Sequence, residues 1–381
     1  MIERKVGGIM SGELFLPGSL PCQTAEQSFK IFGGALGEWL DYMPDGEVGT
    51  RRYWVDGVAF RVFNGHPEIE TVKYPAPENG VEQWWPRGRH DEFGFRVKPG
   101  VSRVRFGDPG WRLGFAREAI NSYALFKYMK KDGIIPARVR FQVCIPLTYS
   151  AVRYFFPDED VDKVVPGFTE ALRAEVEKIV EMIPNDDLAI QWDLAIENRI
   201  TDVAMSEGGP ELAKKEAARV CESAHEVCAW MPKAVHLGHH MCFGTLSGWP
   251  SRQPPTVGGS VILSNAAVAA SGRSVEFLHI PTLGRADDEF FAPLADLNHT
   301  GMKVYMGAVH HLHGAGGLRA QLRTMKKYLP QFGIGAPCGF GRTQDRPGHL
   351  LADDGSKPRS PIDVVLDDHR KAVATLKDVM G

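Results

Sequence analysis

Within Gly238–Gly244, GHHMCFG sets His240 and Cys242 two residues apart. Side chains two apart on an extended backbone share a face, so an imidazole and a thiolate can meet at one ion. Borderline-soft Zn²⁺ takes such ligands in a tetrahedral shell and keeps one position open in catalytic sites. Cys338, in APCGFG, is a distant third donor. Taken alone, His-x-Cys also fits a cysteine that is simply buried beside a polar strand end. Alternation turns His239 the other way, toward a core or supporting role. Cys221 and Cys228 lie seven apart on a helical pattern, about two turns, which marks one buried helix face. Cys22 and Cys144 carry no assigned role.

The elements that must hold these residues are eight short β-rich runs, at 13–19, 39–47, 139–148, 188–193, 234–242, 275–281, 303–310 and 332–339. Most are separated by amphipathic helical stretches such as 167–183 and 318–329. Strand–helix alternation implies parallel pairing, and eight repeats close a single-domain α/β barrel, the (β/α)8 or TIM fold. A doubly wound open sheet is the alternative, but no Gly-x-Gly-x-x-Gly follows the first strand. In such a barrel the C-terminal strand ends form the active site. Here they carry Ser19, Asp45 with Glu47, Thr148, Asp193, His240 with Cys242, His279, His310 with His313, and Cys338. The stretch 64–112, between strands two and three, has no helical period and is rich in Pro, Gly and aromatics. It is expected to be an ordered loop, since Trp84 and Trp85 invite packing, and to serve as an active-site lid or an oligomer contact.

A formal net charge of −3 over 381 residues, with no Lys/Arg block, gives no footprint for nucleic acid or an anionic membrane. The expected partner is a small-molecule substrate, with a homo-oligomer allowed. No segment approaches the apolar length that spans a bilayer, the N-terminus lacks a signal-peptide core, and six irregularly spaced cysteines suit a reducing compartment. These features lead us to expect a cytoplasmic location.

Several short segments resemble, in order, the catalytic barrel of cobalamin-independent methionine synthases. GSLPCQT (18–24) is similar to the family's GSFPQT, DGEVGTRRYWV (45–55) to its His-Gly-Glu segment with a following Arg, and IQWDLAIE (190–197) to Ile-Gln-x-Asp-Glu-Pro-Ala-Leu. HMC (240–242), HLHG (311–314) and APCGFGRT (336–343) resemble its His-Met-Cys, Asp-Ile-His-Ser and Asn-Pro-Asp-Cys-Gly-Leu-Lys-Thr segments. The wider superfamily, with uroporphyrinogen decarboxylase and the zinc methyltransferases that serve corrinoid proteins, is a TIM barrel. The resemblance implies zinc ligands at His240, Cys242 and Cys338, Asp193 and Glu47 near the substrate, Arg51 beside them, and His313 as acid/base. The family's glutamate ligand aligns with Pro281, and His279, two residues earlier on the same face, is the expected substitute. The implied activity is zinc-dependent alkyl or methyl transfer to a thiol, or related one-carbon chemistry. Substrate contacts are expected from Ser19, Asp45, Arg51, Thr148, Trp84 and Trp85. One alternative is a carbon–carbon lyase or decarboxylase, such as one eliminating formaldehyde from a hydroxymethyl-bearing aromatic substrate, with His310 or a carboxylate accepting the proton. Another is a non-catalytic barrel that binds a ligand or a corrinoid partner.

Overall fold

The computed structural model describes residues 12–86, 91–107, 112–245, 249–311, 314–341 and 360–381. Its strands are β1 (Leu14–Phe15), β2 (Tyr42–Pro44), β3 (Ile69–Lys73), β4 (Gly94–Val97), β5 (Arg140–Pro146), β6 (Leu188–Leu194), β7 (His236–Met241), β8 (Phe277–Pro281), β9 (Lys303–Gly307) and β10 (Gly333–Gly335). Eight form one sheet in the order β1-β10-β9-β8-β7-β6-β5-β2, with every pairing parallel. A parallel bridge between Leu14 and Leu40 joins the two edges. The fold is therefore the (β/α)8 barrel, and each of the eight expected runs holds one of its strands.

Helices coat the sheet because their apolar residues recur at helical spacing. In the helix Asp158–Met182, Val161, Val164, Phe168, Leu172, Val176 and Ile179 are all buried. Asp158, Glu159 and Asp160 occupy its first turn, where the helix dipole favours negative charge. Inside the barrel, alternation builds layers. Phe15, Tyr42, Ala189, Phe277 and Tyr305 fill the lower end, with Phe15 and Tyr305 stacked at 4.8 Å. Above them Gln142, Gln191 and His279 form a polar layer, also buried.

The excursion after β2 is more regular than its sequence suggested. β3 and β4 pair antiparallel, and Phe93, Phe95 and Val97 alternate inward. Phe95 meets Phe63 at 5.6 Å and Phe155 at 6.2 Å, so this segment is fastened to the barrel's aromatic core.

One buried carboxyl ties two strand exits together. Ser150 N–H donates to Glu197 Oε1 at 2.8 Å, the Ser150 hydroxyl meets Oε2, and Ala195 and Ile196 N–H groups donate to Ser150 Oγ at 3.1 Å each. Burial, against these hydrogen bonds, pushes the Glu197 pKa up to about 8 from 4.5. The folded state therefore holds a proton that the unfolded chain has released. Stability from this group is complete below about pH 4.5 and is lost as pH rises through about 8. Urea midpoints of the wild type should fall across pH 5–8 more steeply than those of Glu197→Gln; parallel curves would refute the assignment.

Candidate metal centre

The register of β7 sets the site. His240 lies level with Asp193 on β6 and with His279 on β8, and Cys242, just beyond the strand, lies one inward layer higher. The Cys242 carbonyl accepts from Asn198 Nδ2 at 3.2 Å and Arg252 Nη2 at 3.3 Å, and the Gly244 N–H donates to its sulfur at 3.2 Å. Cys338 follows β10 in a loop fixed to Ser19: Phe340 N–H donates to the Ser19 carbonyl at 2.7 Å and Gly341 N–H to its hydroxyl at 3.0 Å. A Cβ at Gly339 would sit 2.3 Å from Ser19 Oγ, so only glycine allows this approach.

The sulfurs of Cys242 and Cys338 are 3.1 Å apart, and together with His240 their ligand atoms all lie within 4.8 Å of one another. The hydrogen bond from Cys338 holds the Cys242 thiol well below the usual thiol range despite burial. That bond and burial push Cys338 well above it. The contact favours thiolate character at Cys242, the form a metal requires. Two sulfurs and an imidazole converging beside a cavity fit Zn²⁺ with one position left for substrate.

The expected fourth ligand, His279, takes a different position. It is fully buried, one inward layer (about 6–7 Å along the strand) below the level of Cys242, and stacks on Phe15 at 5.1 Å. Its Nδ1 meets His240 Nδ1 at 2.6 Å, while its Nε2 is buried with no hydrogen-bond partner among the described residues. One proton lies between the two Nδ1 atoms. Placed on His240, it leaves the His240 Nε2 lone pair free for an ion, as metal-bound histidines require. From there His279 would orient His240, were His240 to bind a metal, from behind. His279→Ala should weaken zinc about 10- to 100-fold, the usual loss for such partners, in a competition titration with a chromophoric chelator. Unchanged affinity would remove this role.

Asp193 and Glu47 face the same cavity, of about 1080 Å³, as do Ser19 and the three candidate donors His240, Cys242 and Cys338. Asp193 Oδ1 accepts from Gln191 Nε2 at 2.7 Å, and Gln191 Oε1 accepts in turn from Gln142 at 2.8 Å. Glu47 holds a left-handed backbone with φ 46°. Burial, then the Asp193 charge, pushes the Glu47 carboxyl well above its usual range. Burial raises Asp193 too, against the Gln191 hydrogen bond.

Other expected contacts are engaged elsewhere. Asp45 accepts from Arg51 at 3.0 and 2.8 Å, from Ser122 at 2.6 Å and from the Glu47 N–H at 2.9 Å, which leaves neither Asp45 nor Arg51 turned to the cavity. They build the turn that carries Glu47. Thr148 is buried against Thr169 at 3.0 Å. Trp84 and Trp85 pack on Tyr53 at 5.1 and 5.6 Å, outside the described cavity lining, because Tyr53 and Phe60 offer them an aromatic seat. His310 Nε2 lies 3.4 Å from Thr282 Oγ1, also outside that lining. His313 lies outside the described residues.

Two further features shape the cavity: Trp54, which the sequence offered with Trp84 and Trp85 as a contact for an aromatic substrate, and a helix wall that had no assigned role. Trp54 lines it with φ 54° and ψ −120°, a glycine-like conformation that costs about 1–3 kcal/mol and clusters at functional sites. The helix Ile196–Val220 supplies one wall; its 196/200/203 spacing was a readable signal.

No family model and no curated protein matches the chain. Among solved structures it is similar to a methyltransferase from Methanosarcina mazei, with 10% identity, 93% of each chain covered and a TM-score of 0.40. It is also similar to a fructose-bisphosphate aldolase from Plasmodium falciparum, with 9% identity, 82% of this chain and 68% of that one covered, and a TM-score of 0.30. Likeness at this level carries no argument about activity; the barrel assignment rests on the closed parallel sheet, and any functional reading rests on the residues at its mouth.

Proposed function

We propose that this barrel is a zinc-dependent enzyme that transfers an alkyl or methyl group to the thiol of a small substrate. The observation that carries the reading is the convergence of His240, Cys242 and Cys338 on one point of the cavity wall. Zn²⁺ held by these three residues would supply Lewis acidity to a thiol in the open position. The chain's own residues supply the rest. The substrate's thiol proton passes to the Glu47–Asp193 carboxylate pair, whose burial raises its affinity for a proton. The sulfur electron pair forms the new carbon–sulfur bond, and the donor's leaving atom departs with the electrons of the bond that breaks. Ser19, beside Cys338, supports an orienting contact.

That same carboxylate pair favours a second reading. Two buried carboxyls beside a metal position also suit carbon–carbon cleavage, in which one removes the hydroxyl proton as the formaldehyde C=O forms, and the electron pair of the broken bond stays on the substrate carbon and takes a proton from the other. Elemental analysis of the purified protein should find about one zinc per chain. A screen of thiols with methyl donors should yield the methylated thiol by mass spectrometry. Formaldehyde release without thioether would select the lyase, and a fully active metal-free preparation would end both readings.

A further inference from the structure

We infer that the cavity takes an elongated substrate with an apolar body and an anionic end, the anion being received by Arg199. The inference rests on the reading that this cavity is the substrate site. Ile196, Arg199, Ile200 and Val203 recur at three- and four-residue spacing on the helix Ile196–Val220, and all line the cavity. One helix face is thus turned inward. It is apolar yet open, with Val203 43% exposed, which leaves surface for a ligand to cover.

Arg199 stands in that face without a side-chain partner among the described residues. The cavity's other arginines are engaged: Arg252 with Asp202, Arg153 with Asp158, and Arg52 over the Tyr53 ring. Asp202, three residues on, is held by Arg252, and Glu207, the next cavity-lining acid on the helix, lies eight residues on, about 12 Å along the axis. A guanidinium left free beside apolar wall matches a carboxylate or phosphate bidentately. Size points the same way. At about 1080 Å³ the cavity exceeds the usual range for drug-sized ligands, about 300–1,000 Å³, so a small thiol alone would leave most of it to water.

The test is calorimetric titration of the full-length protein as purified with 6-phenylhexanoate, 6-phenylhexyl phosphate and 6-phenylhexan-1-ol, with zinc content measured alongside. At least one anionic probe should bind about 10-fold or more tighter than the alcohol, and which one does so identifies the anion. Arg199→Ala should erase that preference with zinc content unchanged, Arg199→Lys should restore part of it, and Ile200→Ala should weaken acid and alcohol alike. Equal binding of acid and alcohol, a preference that survives Arg199→Ala, or no binding by any probe overturns the inference. Arg199-dependent binding in a protein that holds no zinc would uphold it and defeat the metal reading instead.

Discussion

Replacing Cys242 or Cys338 with serine is expected to strip the protein of zinc, from about one ion per chain to a small residue, with affinity falling by more than about 100-fold. The ligand is the thiolate, and a serine hydroxyl does not ionise at neutral pH. Losing one of three protein donors removes a metal bond itself, so the effect should exceed the loss of an orienting partner such as His279, about 10- to 100-fold. Cys221→Ser and Cys228→Ser are the controls. Both cysteines are fully buried, and burial pushes the Cys228 pKa up to about 12 and that of Cys221 upward as well. Neither belongs to the donor cluster. Zinc content by mass spectrometry, with far-UV circular dichroism to confirm folding, separates the outcomes. Equal loss from all four variants would mean that zinc depends on folding in general, and retention by Cys242→Ser would move the site elsewhere.

The barrel was legible because parallel strands buried on both faces leave apolar runs with polar residues at their ends. Run and strand differ mainly at the termini. In 13–19 only Leu14 and Phe15 are paired strand residues, since Pro17 has no N–H to give a ladder; in 332–339 the strand stops at Gly335, shortly before Pro337. The His240/Cys242 pair was legible for the same reason, being a matter of alternation within one strand. The role of His279 was not. It depends on the register between β7 and β8, which sets His279 level with His240 and so below Cys242, and neither strand's sequence reveals that alone. Asp45 shows a second limit. A carboxylate at a strand end looks available until its partners are known, and Ser122, 77 residues away, is one of them. The wall formed by Ile196–Val220 shows a third: its 196/200/203 stripe was readable as a helix face, but that this face turns to the cavity rather than to the packed core depends on where the helix sits on the barrel, which its sequence alone does not give.

Arg51→Ala should be the most destabilising single change near the site, by about 3–5 kcal/mol, the range for removing one partner of a buried ion pair. The Arg51 and Asp45 side chains are 14% and 6% exposed, so water cannot replace the lost guanidinium. Burial alone would raise the Asp45 pKa, but the Arg51 charge and its hydrogen bonds, with those from Ser122 and the Glu47 N–H, hold it below the usual carboxylate range. Without Arg51 that balance fails. Asp45 must then take up a proton or leave its bond to the Glu47 N–H at 2.9 Å, and Glu47 sits at φ 46°, a conformation its neighbours must enforce. Stability and site geometry should therefore fail together, although neither Asp45 nor Arg51 lines the cavity. The variant Arg51→Met with Asp45→Asn removes both charges, so no lone buried charge remains, and it should recover a large part of the lost stability. Equilibrium urea unfolding of the two single variants and the double variant measures the coupling. An Arg51→Ala protein within about 0.5 kcal/mol of wild type, as for ordinary surface changes, would show that the pair does not support the turn, and Asp45 and Arg51 would again be candidates for contact with substrate.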